Sequence, residues 1–234
     1  MGTSIYKNNQ SFPFNKLCTL IEKALGYFST WPPTATIILG NIGILEDGAF
    51  IHVGYFDKIL EVGDIRKIVT PNSDVMYSLL GSVAINQGRR GEDSSLLTDS
   101  VTRTKFVTVE FGRANALVLR AAGCVEAHFS DFALLADAIL ACHSNGERKS
   151  NWVLVTHVVI ADETTIFISR KAGGMLQLMI GPDDVPDVSM FADSDVIAEK
   201  DIAFKVIASK GCTPLFRVAQ VKRRFLGRAG FTMV

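Results

Sequence analysis

Net charge is the first thing this sequence lacks. Lysine plus arginine and aspartate plus glutamate number 24 each among 234 residues, so no cationic excess draws the chain to nucleic acid. Cysteine is scarce. Cys18, Cys124, Cys142 and Cys212 are too few and too scattered for a disulfide scaffold, and reduced thiols in a cytosolic protein are expected. No stretch reaches the roughly 18 consecutive apolar residues of a membrane-spanning helix. The best candidate, 152–168, is cut by Asp162 and Glu163. The start, Met1-Gly2-Thr3-Ser4-Ile5-Tyr6, has neither the basic opening nor the apolar core of a signal peptide. Tyr6 also stands where a myristoylation signal needs Ser or Thr. A protein made in soluble form is expected.

Enzyme motifs are missing as well. The sequence holds no His-Glu-x-x-His helix, no phosphate loop and no Gly-x-Ser-x-Gly elbow. The four histidines are His52, His128, His143 and His157. Cys124, His128, Cys142 and His143 supply four donors suited to zinc, but adjacent ligands at Cys142 and His143 are unusual for that metal. Buried structural thiols are the plainer reading of the two cysteines, with a Cys–His nucleophile pair as the enzymatic alternative. Neither a resident metal nor a cofactor is expected, nor a catalytic centre.

What is present is ordinary globular material. Apolar residues make up 48% and charged ones 21%, a balance that can bury a core and argues against disorder. The length is about one and a half typical domains, and without a repeat or linker it reads as one α+β domain over 1–234. Residues 11–28 carry Leu17, Leu20, Ile21, Ala24, Leu25 and Phe28 at helical spacing, with Gly26 and Trp31-Pro32-Pro33 as the stop. Two β-rich runs, 34–45 and 49–60, meet at Glu46-Asp47-Gly48, a hairpin signal. A second helix is expected over 131–143, capped by Ser130 and stopped by Asn145-Gly146.

Residues 75–86 alternate. Val75, Tyr77, Leu79, Gly81, Val83 and Ile85 share one face, opposite Asp74, Met76, Ser78, Leu80, Ser82, Ala84 and Asn86. Over about twelve residues this is long for a globular strand. Residues 102–111 return as a strand, with Val107, Val109 and Phe111 on one face and Phe106 as the exception. Residues 152–160 are apolar on both faces, as in a buried strand, and 164–180 continue extended except at Ala172-Gly173-Gly174. Residues 202–209 alternate cleanly and 215–221 form a last strand.

Charge is uneven along the chain. Residues 181–201 hold seven acidic residues against Lys200, whereas 202–234 hold seven basic residues and no acidic one. The cationic end, with Lys222, Arg223 and Arg224, suits anionic lipid headgroups, at about 1 kcal/mol per basic residue held near the surface. It equally suits pairing with the acidic stretch inside the fold.

Several strings carry a family resemblance. The segment Asn151-Trp152-Val153-Leu154-Val155-Thr156-His157-Val158-Val159 resembles an extended segment in the pore-forming domain of gasdermins. Leu215-Phe216-Arg217-Val218-Ala219-Gln220, after a Gly-containing turn at Lys210-Gly211-Cys212, is similar to that domain's closing strand. Asp57-Lys58-Ile59-Leu60-Glu61 resembles the exit of its second strand, and Ala24-Leu25-Gly26-Tyr27 the end of the first helix in bacterial members. The likeness covers most of the chain in the right order.

The resemblance implies a twisted, mostly antiparallel sheet with flanking helices, and a soluble cytoplasmic chain that assembles on the plasma membrane. There each subunit would turn two segments into β-hairpins of a large transmembrane barrel that executes lytic cell death in innate immunity. Carried over by position, the hairpins are about 75–111, with a tip near Arg89-Arg90, and about 164–207, with a tip at 181–187. The membrane-inserting side chains would then be Val75, Tyr77, Leu79, Val83, Ile85, Val107, Val109, Phe111, Ile166, Ile168, Ile202, Phe204 and Val206. Lipid-seeking groups map to Lys16 and Lys23, beside Arg89, Arg90, Lys222, Arg223 and Arg224, and an apolar finger to Ile42, Ile44 and Leu45. Fourteen residues follow Gln220, so the expectation is a short or clipped form without a repressor domain. Control would come through a protease, through pairing with a related chain, or through the thiols Cys18, Cys124, Cys142 and Cys212. The expected partners are anionic lipids and further copies of the chain, with no nucleic acid.

The physics is compatible. A barrel strand needs about 9–11 residues with alternating faces, which 75–86 supplies. A lone hairpin in hydrocarbon leaves edge groups unpaired at several kcal/mol each, so only closure among subunits removes the edges. The competing expectation is a soluble α+β interaction domain whose basic end docks an acidic partner.

Overall fold

The computed structural model describes residues 14–30, 35–46, 49–56, 67–71, 75–78, 83–89, 105–146, 149, 151–180, 195–223 and 229–234. The fold is α+β, a mostly antiparallel sheet structure with two helices among the described residues. The described residues fall into two compact units, those within 74–122 and 163–210, and those within 13–73, 123–162 and 211–234.

The second unit begins with helix α1 (Phe14–Leu25). Cys18 and Ile21 are buried and Leu25 is half-buried, whereas Ala24, expected on the same face, is exposed. The buried stripe is therefore narrower than the spacing alone suggests. Gly26, at φ +67°, stops the helix, its N–H donating to the Glu22 carbonyl at 2.8 Å. The chain then enters β1 (Phe28–Ser29), β2 (Asn41–Glu46), β3 (Ala49–Tyr55) and β4 (Lys67–Pro71). β2 and β3 form the expected hairpin. The resemblance string 57–61 lies outside the described residues, as do 31–34.

The remaining elements of this unit are β9 (Val125–Phe129), α2 (Phe132–Ser144), the first part of β10 (Val153–Ser169), the last part of β13 (Ile202–Arg223) and β14 (Ala229–Met233). The strand order is β1-β13-β10-β2-β3, with β9 also on β10, β4 on β9 and β14 on β13. One cluster joins α2, through Leu135, Ile139 and Cys142, to Leu154, Val221 and Phe231. A separate cluster gathers Phe28, Ile37, Val153, Val155, Phe216 and Val218.

Three expectations change here. Asp131, not Ser130, caps α2, because Asp131 is extended (φ −127°) and its Oδ1 accepts from the Leu134 N–H at 2.9 Å. Replacing Asp131 with Ala should cost about 1 kcal/mol, read as a lower thermal midpoint; an unchanged midpoint would show that this bond is dispensable. The turn expected at Lys210-Gly211-Cys212 is absent. β13 runs on through Gly211 at φ +63°, a conformation glycine adopts without strain. Finally, 215–221 is not the last strand, since β14 follows and pairs with β13 from Ala219↔Met233 to Arg223↔Ala229.

The first unit contains β5 (Val75–Ser78), β6 (Val83–Arg89), β7 (Lys105–Phe111), β8 (Leu117–Ala122), β11 (Gly174–Ile180) and β12 (Asp195–Lys200), with the end of β10 and the start of β13. β8 pairs with β5 on one side and with residues 163–168 of β10 on the other. Four strands form a separate sheet in the order β12-β11-β7-β6. The run 75–86, expected as one strand, is thus two, because β5 takes its hydrogen bonds from β8 and β6 takes its own from β7.

Candidate functional site

The four-stranded sheet is two hairpins side by side. β6 pairs with β7 from Val83↔Phe111 to Arg89↔Lys105, and β11 pairs with β12 from Met175↔Lys200 to Met179↔Asp195. β7 and β11 join them, from Gly174↔Phe111 to Ile180↔Lys105. Directly paired residues point to the same face, so the sheet's sides can be read from the register. One side carries Val83, Ile85, Val107, Val109, Phe111, Leu176, Leu178 and Val196, and the other Asn86, Thr108, Glu110, Gln177, Asp195 and Lys200. By register Gln87, Arg89, Lys105 and Glu199 fall on the apolar side, and Phe106, Met175 and Met179 on the polar one. A register shift between Gln177 and Leu178 leaves Ile197 as the extra residue of β12.

The apolar side is covered. Val107, Val109, Phe111, Leu176 and Leu178 are buried against Ala116, Val118 and Phe167, with Val83, Val196 and Ile202 packed at the margin. Ile85, on the outer strand, remains 39% exposed. Polar bonds close the end of the sheet. The Gly173 N–H donates to the Phe111 carbonyl at 2.8 Å and the Arg170 N–H to the Asp201 carbonyl at 2.7 Å. The Ser169 hydroxyl donates to the Arg113 carbonyl at 2.7 Å and accepts from the Ala116 N–H at 2.9 Å. Lys205 pairs with Glu199 and, at 3.9 Å, Lys171 with Asp201. The first of these is one of the basic-to-acidic pairings that the charge pattern allows.

Several sequence expectations meet on this sheet and others do not. Val83, Ile85, Val107, Val109 and Phe111 share its apolar side, and Ile202 packs on the same cluster. Val75 and Tyr77 do not join them, because β5 is paired to β8. Ile166 and Ile168 pair with Leu119 and Leu117 and are buried; their neighbour Phe167 is the β10 residue that reaches the cluster. The second hairpin therefore starts at Gly174 rather than Thr164, since 163–168 of β10 belong to β8. Phe204 and Val206 lie on β13. Leu79, Arg90, Arg224 and the tip 181–187 lie outside the described residues.

Basic groups are spread over several elements. Lys16 lies on α1, Lys23 is exposed in its last turn, and Lys222 is exposed on β13 beside Arg223. Arg89 ends β6 in register with Lys105. In the finger position, Ile42 is buried while Ile44 and Leu45 are half-buried.

All four cysteines are buried thiols outside any disulfide. Burial pushes the Cys18 thiol up to about 11, against a hydrogen bond with the Ser29 hydroxyl at 3.2 Å that favours the thiolate. Such a thiol is protonated at neutral pH and unreactive. Among the described residues, no group of three or more His, Cys, Asp or Glu could hold a metal ion, so Cys124, His128, Cys142 and His143 are not gathered into a site.

A polar cluster that sequence reasoning missed lies in the second unit. The Arg217 guanidinium sits 4.0 Å over the Tyr27 ring, and its Nε donates to the Gly26 carbonyl at 3.1 Å. Tyr27 meets His157 at right angles, with centroids 5.6 Å apart. The His157 and His128 rings are 5.5 Å apart, and His157 Nε2 lies 3.4 Å from Glu126 Oε2. Burial, chiefly, holds His157 below the ordinary imidazole range; Arg217 and His128 add to this, and Glu126 opposes it.

No protein-family model matches this chain, and neither does any curated protein. A solved structure does. The cryo-EM structure of the gasdermin A3 membrane pore is similar over 94% of this chain and 94% of that chain, at 12% identity and a TM-score of 0.35. No described helix is long and apolar enough to cross a membrane, which says nothing of strands. The functional reading below rests on the residues of this chain.

Proposed function

We propose that this chain forms membrane pores. Copies gather on anionic lipid, and each opens its β6–β7 and β11–β12 hairpins into a shared transmembrane β-barrel that lyses the cell. The reading rests on one observation. Two hairpins already lie side by side through β7 and β11, with one apolar side and one mostly polar side. Exchanging the cover of Val118 and Phe167 for lipid would leave the apolar side in hydrocarbon and the polar side on a water-filled lumen.

The described strands of these hairpins are six or seven residues long, short of the about 9–11 that a bilayer strand needs. Insertion therefore draws further residues into each strand. Open edges at β6 and β12 require neighbouring subunits, either identical copies or a related chain. Lys16, Lys23, Arg89, Arg90, Lys222, Arg223 and Arg224 supply the cationic contacts to headgroups, and the chain moves from cytoplasm to plasma membrane when activated. The whole chain acts as one domain, and no catalytic step is involved.

Dye release from vesicles tests this. Vesicles rich in phosphatidylserine or cardiolipin should leak in a concentration-dependent way, and purely zwitterionic vesicles should leak far less. Intact anionic vesicles under reducing, acidified and protease-treated conditions alike would overturn the proposal.

A further inference from the structure

We propose that Tyr27, Arg217, His157 and Glu126 form an acid-released latch, in which charging His157 frees the C-terminal end of α1 from the sheet. This inference stands independently of the pore reading.

The latch is a chain of contacts with one anchor. The Gly26 carbonyl lies just past the helix end, where a cation is favoured by the helix dipole, and Arg217 from β13 occupies that place. Arg217 is held there by the Tyr27 ring beneath it, and that ring is braced by His157 from β10. While His157 is neutral, the Arg217 cation and the Glu126 carboxylate of β9 lie to either side of it. Once charged, its imidazolium stands 5.6 Å from the Tyr27 ring that carries Arg217.

The groups facing His157 are accounted for on each packed element. β9 presents Glu126 and His128, β13 presents Arg217, and the link after α1 presents Tyr27. On β4 the positions in register with His128 and Glu126 are Ile68 and Thr70, neither of which titrates in this range. Glu126 favours the charged imidazole and Arg217 opposes it. Repulsion from the charged His157 falls on Arg217, and withdrawing that side chain releases the Gly26 carbonyl.

The sign follows from linkage. His157 protonates less readily in the folded chain than at its ordinary value of 6.5. The unfolded chain therefore takes up the proton first, and stability is lost as pH falls below about 6.5 toward the folded value. Local opening of the helix end follows the same direction.

Hydrogen exchange on the full chain is the test. After correction for intrinsic rates, protection at residues 22–27 should fall severalfold between pH 7.5 and 5.5. In His157→Gln the same interval should change protection less than twofold. Equal pH dependence in wild type and His157→Gln, or a flat wild-type profile, would overturn the latch. If His157→Gln does not fold, imidazole and Tyr27 ring signals can be followed together by NMR in the wild type. Tyr27 shifts that track the His157 titration would support the latch, and a His157 titration with an unmoved Tyr27 would overturn it.

Discussion

Ile85→Lys is expected to leave the soluble protein folded and to stop it from releasing vesicle contents. In the soluble fold Ile85 is 39% exposed on the outer strand of the hairpin sheet, so a lysine there can reach water by extending its stem. In the proposed barrel the same position would face lipid, because Ile85 pairs with Val109, which pairs with Leu176, on the apolar side. A lysine facing lipid near mid-bilayer costs about 2–4 kcal/mol, and every subunit of a ring bears that cost. Asn86→Lys is the matched control. Asn86 pairs with Thr108 on the polar side, so its lysine would face the lumen and leakage should persist. A folded Ile85→Lys protein that leaks like wild type would show that β6 does not enter lipid.

Phe111→Ala should lower the stability of the soluble state by about 3–5 kcal/mol, the usual range for emptying a buried aromatic site. Phe111 is 1% exposed and packs in the cluster with Val118, Phe167, Leu176 and Leu178. Its backbone contributes separately, since its carbonyl accepts from the Gly173 N–H and that bond survives the substitution. Denaturant midpoints at constant m-value measure the change. A loss under about 1 kcal/mol would mean that the apolar side collapses without a cavity. Because the cluster is what covers the hairpins, the same variant should also leak at lower protein concentration if pores form as proposed.

The first hairpin was legible because period-two alternation survives in both of its strands. Val83 and Ile85 against Ala84 and Asn86, and Val107 and Val109 against Thr108 and Glu110, mark faces without help from the fold. Alternation does not reveal the pairing partner, however. The pattern runs unbroken from Val75 to Asn86 although β5 and β6 bond to different strands. β8 and β9 went unread for the opposite reason. Leu117–Ala122 is buried on both faces with Arg120 among the buried residues, and Val125–Phe129 carries Glu126 and His128 inside a sheet, so neither shows a clean period. β14 is small and follows a basic run, and only its pairing with β13 makes it a strand.

The histidine cluster had no signal in the chain at all. Tyr27, the Glu126 and His128 of β9, His157 and Arg217 lie dozens of residues apart along the chain, and His157 sits within an apolar run that reads as core. Antiparallel pairing of β9 with β10, matching His157 to His128, brings them together. Thiol burial was half legible: cysteines are commonly buried, but the Ser29 contact of Cys18 depends on how α1 meets β1.

Environment-sensitive fluorophores placed in turn at 83, 84, 85 and 86 address the central claim most directly. Each is attached to a single introduced cysteine on the exposed hairpin strand and read with and without anionic vesicles. The account predicts that labels at 83 and 85 shift to the blue and are quenched from within the lipid, while those at 84 and 86 remain in water. Labels that all stay in water, or that change without regard to odd and even position, would contradict it.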